Sequence, residues 1–230
     1  MEEGGTERER AGSRQVELTR ALRLMVITDR QLAGSRGVVA VVEAALTGGC
    51  RAIQLRDKEA SARELANMGR GLLPTVRAAG ALLLVNDRLD VAMAIGADGV
   101  HLGPEDLPVE AARSVAPPGF LIGFSTDSPD VAREAESAGA DYLGCGAVFG
   151  TSTKDVGDEA IGVHRLDEVA RSVAIPLVGI GGFTPSGSKR IARETAAAGV
   201  AVVGAVMAAP DPEGATHHLL QPFRSRTGPG

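Results

Sequence analysis

The chain has 230 residues, of which 44% are hydrophobic, so it is long enough to bury a large core in one or two domains. Its formal net charge of −5 argues against a basic face for nucleic acid. Aromatic residues make up only 3% and glycine contributes 30 residues, a composition typical of tightly packed α/β proteins and not of β-sandwiches.

The cysteines and the two ends of the chain exclude further classes of protein. Cys50 and Cys145 lie far apart, so we expect neither a disulfide framework nor a cysteine-based metal site, and we expect a reducing, cytoplasmic location. No apolar run approaches the roughly 18 residues of a membrane span. We predict a barrel domain over residues 20–221, a disordered, charged N-terminal tail over 1–19 and a C-terminal tail over 222–230.

Short apolar runs alternate with segments of helical spacing from Leu24 onward. Eight runs are predicted as strands: 24–29, 52–57, 81–87, 99–103, 120–125, 142–148, 176–182 and 200–206. They are nearly continuous apolar stretches, as in a parallel sheet that helices cover. Eight β–α units in about 200 residues predict a single (β/α)8 TIM barrel. A doubly wound open sheet is the alternative, but no Gly-x-Gly-x-x-Gly follows the first strand.

Polar side chains follow the second predicted strand, at the end where barrel enzymes place their active sites. Because side chains alternate along a strand, Gln54, Arg56 and Lys58 share one face, and Leu55 and Asp57 share the other. An ordinary charged loop would explain the two cations. A glutamine inside a buried strand, however, needs a polar partner or a ligand, which favours a functional interpretation.

Acidic residues follow the next two strands. Asn86 and Asp87 end the third strand, and Glu105 and Asp106 follow the fourth. Carboxylate and amide oxygens suit Mg²⁺, which binds carboxylates together with the phosphate oxygens of a substrate. Helix capping would explain either aspartate alone. Two aspartates at adjacent strand ends favour a metal site.

The segment 149–157, after the sixth strand, combines hydroxyl groups with a lysine. Lys154 is one of only three lysines in the chain, against 21 arginines. A compact ammonium group is suited to a phosphate, so we predict an anion-binding role, although a flexible polar loop stays the alternative for Ser152. The glycines of 179–182 and the pair Val203-Gly204 follow strands seven and eight, where barrels often bind phosphate on backbone N–H groups. A tight turn is the alternative for the two adjacent glycines.

The polar segments together resemble the thiamine-phosphate synthase family in register from Leu24 to Pro212. The matching motifs are QLRDK (54–58), NDRLDVA (86–92), GADGVHLGPEDLP (96–108), GTSTK (150–154) and PLVGIGG (176–182). The family is a (β/α)8 barrel that joins 4-amino-2-methyl-5-(diphosphooxymethyl)pyrimidine to 4-methyl-5-(2-phosphooxyethyl)thiazole and releases pyrophosphate. The resemblance therefore implies an Mg²⁺-dependent transferase of thiamine biosynthesis whose partners are small phosphorylated molecules.

The resemblance also implies roles for individual residues. Those assigned to the pyrimidine diphosphate are Gln54, Leu55, Arg56, Asp57, Lys58, Asn86 and Ser125. Lys154 would contact the pyrophosphate and act in catalysis with Arg56 and Lys58, while Asp87 and Asp106 would bind Mg²⁺. Those assigned to the thiazole phosphate are Thr151, Ser152, Thr153, Gly182, Val203 and Gly204. The pattern leaves homo-oligomer formation open and implies no nucleic acid or membrane partner.

Two positions depart from the family pattern. Pro104 stands where the family usually has glutamine, and Gly204 stands where it usually has serine. Both bear on affinity for the thiazole phosphate, because each removes a hydrogen-bonding side chain. A thiazole tautomerase on the same barrel is the nearest alternative, but it would not need both aspartates or the pair Lys58 and Lys154. A catalytically silent barrel that binds the same phosphates is the non-enzyme alternative.

Overall fold

The computed structural model describes residues 7–150 and 160–224, in which eight parallel strands form a closed barrel in the order β1 to β8. The strands are β1 Leu24–Ile27, β2 Ala52–Leu55, β3 Leu82–Asn86, β4 Gly99–Leu102, β5 Leu121–Ser125, β6 Tyr142–Gly146, β7 Leu177–Ile180 and β8 Gly199–Val202. All eight lie within or beside the predicted apolar runs. The predicted (β/α)8 barrel is confirmed.

Helices follow every strand and cover the outside of the barrel. They are α1 Glu7–Ala21, α2 Arg30–Ala33, α3 Gly37–Thr47, α4 Ala62–Ala78, α5 Leu89–Ile95, α6 Val109–Val115, α7 Pro129–Ser137, α8 Gly162–Arg171, α9 Pro185–Glu194, α10 Gly204–Met207 and α11 Pro212–Arg224. Several begin at a side chain that accepts a hydrogen bond from the first turn, as Ser61 does for α4 and Thr184 for α9. In these helices the cap marks where the preceding loop at the carboxyl end of the strand stops.

Two apolar layers separate the inside of the barrel from its helical cover. Leu55 and its outward-facing neighbours pack against the helices in the larger cluster. The inward-facing cluster includes Met25, Ile27, Ala52, Leu84, Leu121, Tyr142, Val178 and Ala201. Because these side chains fill the lower part of the barrel, the open space inside the described barrel lies at the end where the strands finish.

A repeated Gly-Ala-Asp sequence ties the amino ends of the strands together. Asp98, before β4, accepts a hydrogen bond from the backbone N–H of Leu83 at 2.8 Å. Asp141, before β6, accepts one from the N–H of Ile122 at 2.8 Å and pairs with Arg113 at 2.5 Å. These carboxylates therefore serve the fold and lie away from the carboxyl ends of the strands.

The N-terminal segment corrects the sequence-based interpretation. Residues 7–19, predicted to belong to a disordered tail, lie in helix α1, which closes the amino end of the barrel. Leu18 and Leu22 are buried in the inner cluster, and the side chains of Arg14 and Gln15 donate hydrogen bonds to the backbone carbonyls of Gly119 and Ala174. The apolar base of the barrel thus provides a packing surface for this helix, which has few apolar side chains of its own.

Two further boundaries differ from the prediction. The barrel domain continues through α11 to Arg224, because Phe223 is fully buried, whereas the C-terminal tail was predicted to begin at residue 222. The eighth predicted strand, 200–206, ends at Val202, and its last residues form α10. Among the described residues, both cysteines are buried free thiols, and no helix is long and apolar enough to cross a membrane.

Candidate active site

One large cavity of about 830 Å³ opens at the carboxyl ends of the strands. Its size is typical of small-molecule sites, which usually occupy about 300–1,000 Å³. Its floor is the top of the inner apolar cluster. Among the sequence-predicted site residues, those that line it are Gln54, Arg56, Asn86, Ser125, Gly182, Val203 and Gly204. The structure therefore brings residues from the ends of five of the eight strands to one site.

Strand β2 contributes a polar side chain and two cations. Gln54 is buried inside the barrel, where its side-chain nitrogen lies 3.5 Å from the sulfur of Met25. Arg56 lines the cavity two residues later, and Lys58 is exposed beyond it. The alternation predicted for these three residues is thus seen for Gln54 and Arg56. Leu55 faces the outer apolar layer instead, so its side chain does not reach the cavity.

Asp57 also turns away from the cavity. One carboxylate oxygen accepts hydrogen bonds from the backbone N–H groups of Glu59 and Ala60 at 3.1 and 3.2 Å. The other lies 3.2 Å from Nε of Arg30. The carboxylate therefore holds its own loop and the neighbouring β1–α2 turn, and its side chain makes no contribution to the cavity wall.

Asp87 and Asp106 lie next to each other at the ends of β3 and β4. Burial raises the pKa of Asp87 above its ordinary value, and a hydrogen bond to Asp106 and the charge of Asp106 raise it further. The positive charges of Lys58 and Arg56 oppose this shift. Two acids and two cations thus share one electrostatic environment.

The backbone of Asp87 reinforces this interpretation. Its φ of 62° lies in the left-handed region, and it is the one described residue other than glycine found there. Such a conformation costs about 1 kcal/mol for an L-residue with a side chain. Strain of this kind concentrates at functional sites, where the surrounding structure enforces it. Its backbone N–H is held by the carbonyl of His101 at 2.8 Å.

The donor set at this point fits Mg²⁺. One oxygen of Asp106 accepts a hydrogen bond from the N–H of Gly103 at 2.7 Å, which fixes the carboxylate beside Asp87. No group of three or more His, Cys, Asp or Glu side chains able to hold a metal occurs within 7–150 and 160–224. Two carboxylates completed by substrate phosphate and water are the usual arrangement for Mg²⁺, unlike the closed ligand sets of zinc.

A hydrogen-bonded chain crosses the cavity floor, and of its four members the sequence analysis assigned a role to Gln54 and Ser125 but not to His101 and Tyr142. The imidazole of His101 lies with Nδ1 at 2.9 Å from the hydroxyl of Tyr142 and Nε2 at 2.8 Å from Oγ of Ser125. Burial raises the pKa of Tyr142 strongly, the charge of Asp141 raises it further, and a hydrogen bond with Gln54 lowers it. Four polar groups from four strands are therefore linked inside an otherwise apolar barrel.

Tyr142 occupies this position because its register partner on the adjacent strand, Gly123, has no side chain. A Cβ atom on Gly123 would fall within the Tyr142 ring, so only glycine leaves room there. Tyr142 is the only tyrosine in the chain, and its place in a buried strand was the available signal. Buried tyrosine hydroxyls usually need a polar partner, which points to a polar network around it.

Backbone from β7 and β8 forms the opposite wall. Gly182 has a φ of 67°, and the β6 loop packs so closely that a Cβ there would collide with Phe149 and Gly150. Gly204 begins α10 beside it, and a Cβ at Gly204 would meet its nearest neighbour, Leu32, only at 3.8 Å. Gly182 and Gly204 both line the cavity, and backbone that carries no side chain lets a phosphate approach its N–H groups closely.

The hydroxyl-rich loop lies outside the described residues. Thr151, Ser152, Thr153 and Lys154 fall within residues 151–159, so their predicted roles stay predictions. The described part of the loop, Gly150, lines the cavity.

Comparison with known proteins agrees with this geometry. Residues 24–206 match the thiamine monophosphate synthase family. A thiamine-phosphate synthase of Natronomonas pharaonis is 48% identical over 88% of this chain and 95% of its own length, and one of Roseiflexus castenholzii is 47% identical over 84% and 85%. The structure of a thiamine phosphate pyrophosphorylase from Pyrococcus furiosus has a TM-score of 0.82 at 43% identity, covering 92% of this chain and all of that one. The chain belongs to the thiamine monophosphate synthase family.

Proposed function

We propose that this chain is a thiamine-phosphate synthase, a transferase that joins a pyrimidine methyl diphosphate to a thiazole phosphate and releases pyrophosphate. The observation that supports it most directly is the pairing of Asp87 and Asp106 close to Lys58 and to Arg56, the last of which lines the cavity. Acids and cations together suit a metal-bound diphosphate, because the acids would hold Mg²⁺ and the cations the phosphate oxygens.

The reaction breaks one bond and forms one. The C–O bond between the pyrimidine methylene and the diphosphate breaks, the electron pair leaves with pyrophosphate, and the thiazole nitrogen bonds to the methylene carbon. The amino-substituted ring stabilises positive charge on that carbon. Mg²⁺, when bound, would offset the charge of the leaving group. No proton has to be removed, so the site needs no activated serine, cysteine or histidine base.

The chain's own residues would supply binding and charge stabilisation. Arg56 and Lys58 would bind the diphosphate. Their electrostatic attraction to it would strengthen as negative charge builds on the leaving group. Gln54 and the Tyr142–His101–Ser125 chain offer both donors and acceptors, which suits the ring nitrogens and amino group of a pyrimidine. Their donor and acceptor roles depend on which imidazole nitrogen carries the proton.

The second substrate would enter from the opposite wall. Gly182, Val203 and Gly204 would receive its phosphate on backbone N–H groups, and the 151–153 hydroxyls would add further bonds. Lys154 would contact the pyrophosphate as it leaves. This arrangement would bring the thiazole nitrogen toward the methylene carbon and exclude water from it.

One assay distinguishes this function from its alternatives. We expect thiamine phosphate and pyrophosphate to form in equal amounts from the two substrates with Mg²⁺, and the reaction to stop when a chelator removes the metal. A thiazole tautomerase would isomerise a thiazole phosphate alone and release no pyrophosphate. A silent barrel would bind both substrates without releasing pyrophosphate. Either of these outcomes would contradict the proposal.

A further inference from the structure

The backbone of Arg56, just after β2, is held by a residue that is not part of the cavity lining. Thr28 is fully buried, just after β1. Its hydroxyl accepts a hydrogen bond from the backbone N–H of Arg56 at 2.9 Å and lies 3.2 Å from the carbonyl oxygen of the same residue, to which it donates. The backbone N–H of Thr28 donates to the carbonyl of Gln54 at 2.9 Å. Thr28 therefore forms hydrogen bonds with both backbone polar groups of Arg56 and with the carbonyl of Gln54.

Asp29 and Arg30, the next two residues, add further contacts between this segment and the β2 loop. Asp29 accepts a hydrogen bond from the N–H of Leu32 at 2.9 Å and so caps α2, whose first residue is Arg30. Nε of Arg30 lies 3.2 Å from the buried carboxylate of Asp57. Asp57 in turn caps the loop that carries Lys58, through the N–H groups of the residues that follow it.

These contacts join two short segments: Thr28–Arg30 on the β1–α2 turn and Arg56–Lys58 on the β2 loop. The β2 loop has no regular secondary structure of its own between Leu55 and α4, so it depends on such contacts for a fixed shape. We propose that Thr28 is a positioning residue, aided by the Arg30–Asp57 pair, which sets Arg56 and Lys58 in place for the diphosphate. This inference rests on the proposed function.

The relative weight of the two contacts follows from their exposure. The Thr28 hydroxyl lies in the interior, where a lost hydrogen bond leaves the Arg56 N–H and carbonyl unsatisfied. Arg30 is 54% exposed, so solvent screens its attraction to Asp57. We therefore expect Thr28 to have the larger effect on the geometry of Arg56, and the ion pair to make a smaller adjustment.

The experiment measures binding of inorganic pyrophosphate with Mg²⁺ by calorimetry. Thr28→Val keeps the shape of the side chain and removes the hydroxyl, and Thr28→Ser restores the hydroxyl. Displacing a charged group by a fraction of an ångström to 1 Å commonly costs about 10- to 100-fold. We expect Thr28→Val to weaken pyrophosphate binding about 10-fold, and Thr28→Ser to bind nearly as tightly as the wild type.

A second buried threonine provides a matched control. Thr195 donates to the carbonyl of Ile191 at 2.9 Å and accepts from the N–H of Ala197 at 3.2 Å, before β8 at the other end of the barrel. Thr195→Val therefore removes the same kinds of hydrogen bond far from the site. We expect it to lower stability as much as Thr28→Val does, while pyrophosphate binding is unchanged.

Kinetics separate positioning from general damage. Thr28→Val should raise the KM for the pyrimidine diphosphate and lower kcat, and leave the KM for the thiazole phosphate unchanged. If Thr28→Val does not fold, Arg30→Gln tests the same inference at a half-exposed position. Introduced alone, Arg30→Gln should weaken pyrophosphate binding several-fold. Added to an Asp57→Asn variant, it should weaken binding no further.

The outcomes are distinguishable. If the wild type neither binds pyrophosphate nor forms thiamine phosphate, the proposed function fails, and this inference fails with it. If the wild type does both, and Thr28→Val binds pyrophosphate as the wild type does, only the positioning role is overturned. Equal losses of pyrophosphate binding in Thr28→Val and Thr195→Val would also overturn it, because such losses would reflect reduced stability alone.

Discussion

Nδ1 of His101 lies 2.9 Å from the hydroxyl of Tyr142, inside a barrel whose neighbouring side chains are mainly apolar. Such a buried polar pair is stable only if its hydrogen bonds are satisfied. The network continues to Ser125 on one side and Gln54 on the other. Since Gln54 and Ser125 also line the cavity, the network connects the barrel interior to the cavity.

Tyr142→Phe should raise the KM for the pyrimidine diphosphate by about 3- to 10-fold, the effect of losing one hydrogen bond in a network. The ring would still fill the space beside Gly123, so the fold should be kept. Steady-state kinetics with each substrate varied in turn would measure the change. Inorganic pyrophosphate binding is the internal control, and a parallel loss there would show that the tyrosine acts on the diphosphate end and not on the ring.

Asp87→Asn should reduce Mg²⁺-dependent turnover by more than about 100-fold, because it removes a charged ligand without changing its volume. Asparagine accepts positive φ well, so the strained backbone should be tolerated. The same change at Asp106 should act alike. Asp90→Asn is the control, since Asp90 is exposed and pairs with Arg88 at 2.6 Å outside the cavity.

The metal assignment also predicts an effect on stability. Without Mg²⁺, Asp87→Asn should melt at the same temperature as the wild type or higher, because burial and Asp106 both disfavour the charged carboxylate. With Mg²⁺ and pyrophosphate, the wild type should gain stability by linkage and the variant should not. A variant stabilised equally by the metal would contradict the assignment of Asp87.

Gly204→Ser should strengthen binding of the thiazole phosphate. There is room for the side chain, because a Cβ would meet its nearest neighbour, Leu32, only at 3.8 Å. Serine would supply the hydroxyl that the resemblance implies at this position, and a hydrogen bond to a charged phosphate contributes about 1.5–3 kcal/mol. We expect the KM for the thiazole phosphate to fall by about 10-fold or more. Gly204→Ala adds the Cβ without the hydroxyl, and an equal gain there would rule out a hydrogen bond.

The residues of the site could be predicted from the sequence where strand alternation decides their direction. Gln54 and Arg56 face the cavity because they lie two positions apart, at the end of β2 and just beyond it. Asp87 meets Asp106 because parallel strands end at one edge. Tyr142 could not be placed in this way. Its contact with His101 depends on Gly123, a residue of the neighbouring strand that leaves space for the ring. Local patterns do not contain such long-range pairs.

The N-terminal helix illustrates the same limit for the fold. Residues 7–19 have few apolar side chains, which is why the sequence predicted disorder. Their helix is stabilised by what lies beneath it, the apolar ends of the strands. Asp57 is a third case. It was grouped with the substrate-binding residues by its place in a motif, whereas its partner Arg30 begins helix α2, 27 positions earlier.

Leu18→Ala should destabilise the protein by about 2 kcal/mol or more, since it removes a buried side chain beneath the barrel. The control is Val16→Ala, because Val16 is 49% exposed on the same helix and should change stability by less than about 0.5 kcal/mol. Urea unfolding would compare the two. Kinetic constants should not change in either variant, because α1 lies at the end of the barrel opposite the cavity. Equal stabilities would show that α1 does not dock.

Cys50 should make stability fall at alkaline pH. Burial raises the pKa of its thiol from 9.0 to about 11, while its sulfur contacts the carbonyl oxygens of Leu24 and Ala52 at 3.3 and 3.2 Å. In the unfolded chain the thiol ionises near pH 9, whereas in the folded barrel it keeps its proton until about pH 11. The folded state thus binds more protons in this window, and its free energy of unfolding declines as pH rises through it.

The size and the test of this effect follow from that shift. Each unit of difference in pKa corresponds to about 1.4 kcal/mol, so the loss should reach up to about 3 kcal/mol by pH 11 and be absent below pH 9. Cys50→Ala loses packing at every pH but has no thiol to ionise. The difference in unfolding free energy between wild type and variant should therefore shrink as pH rises from 9 to 11. Because other groups titrate alike in both proteins, their contributions cancel in this difference. A difference independent of pH over this range would show that the Cys50 thiol is not protected as the barrel geometry requires.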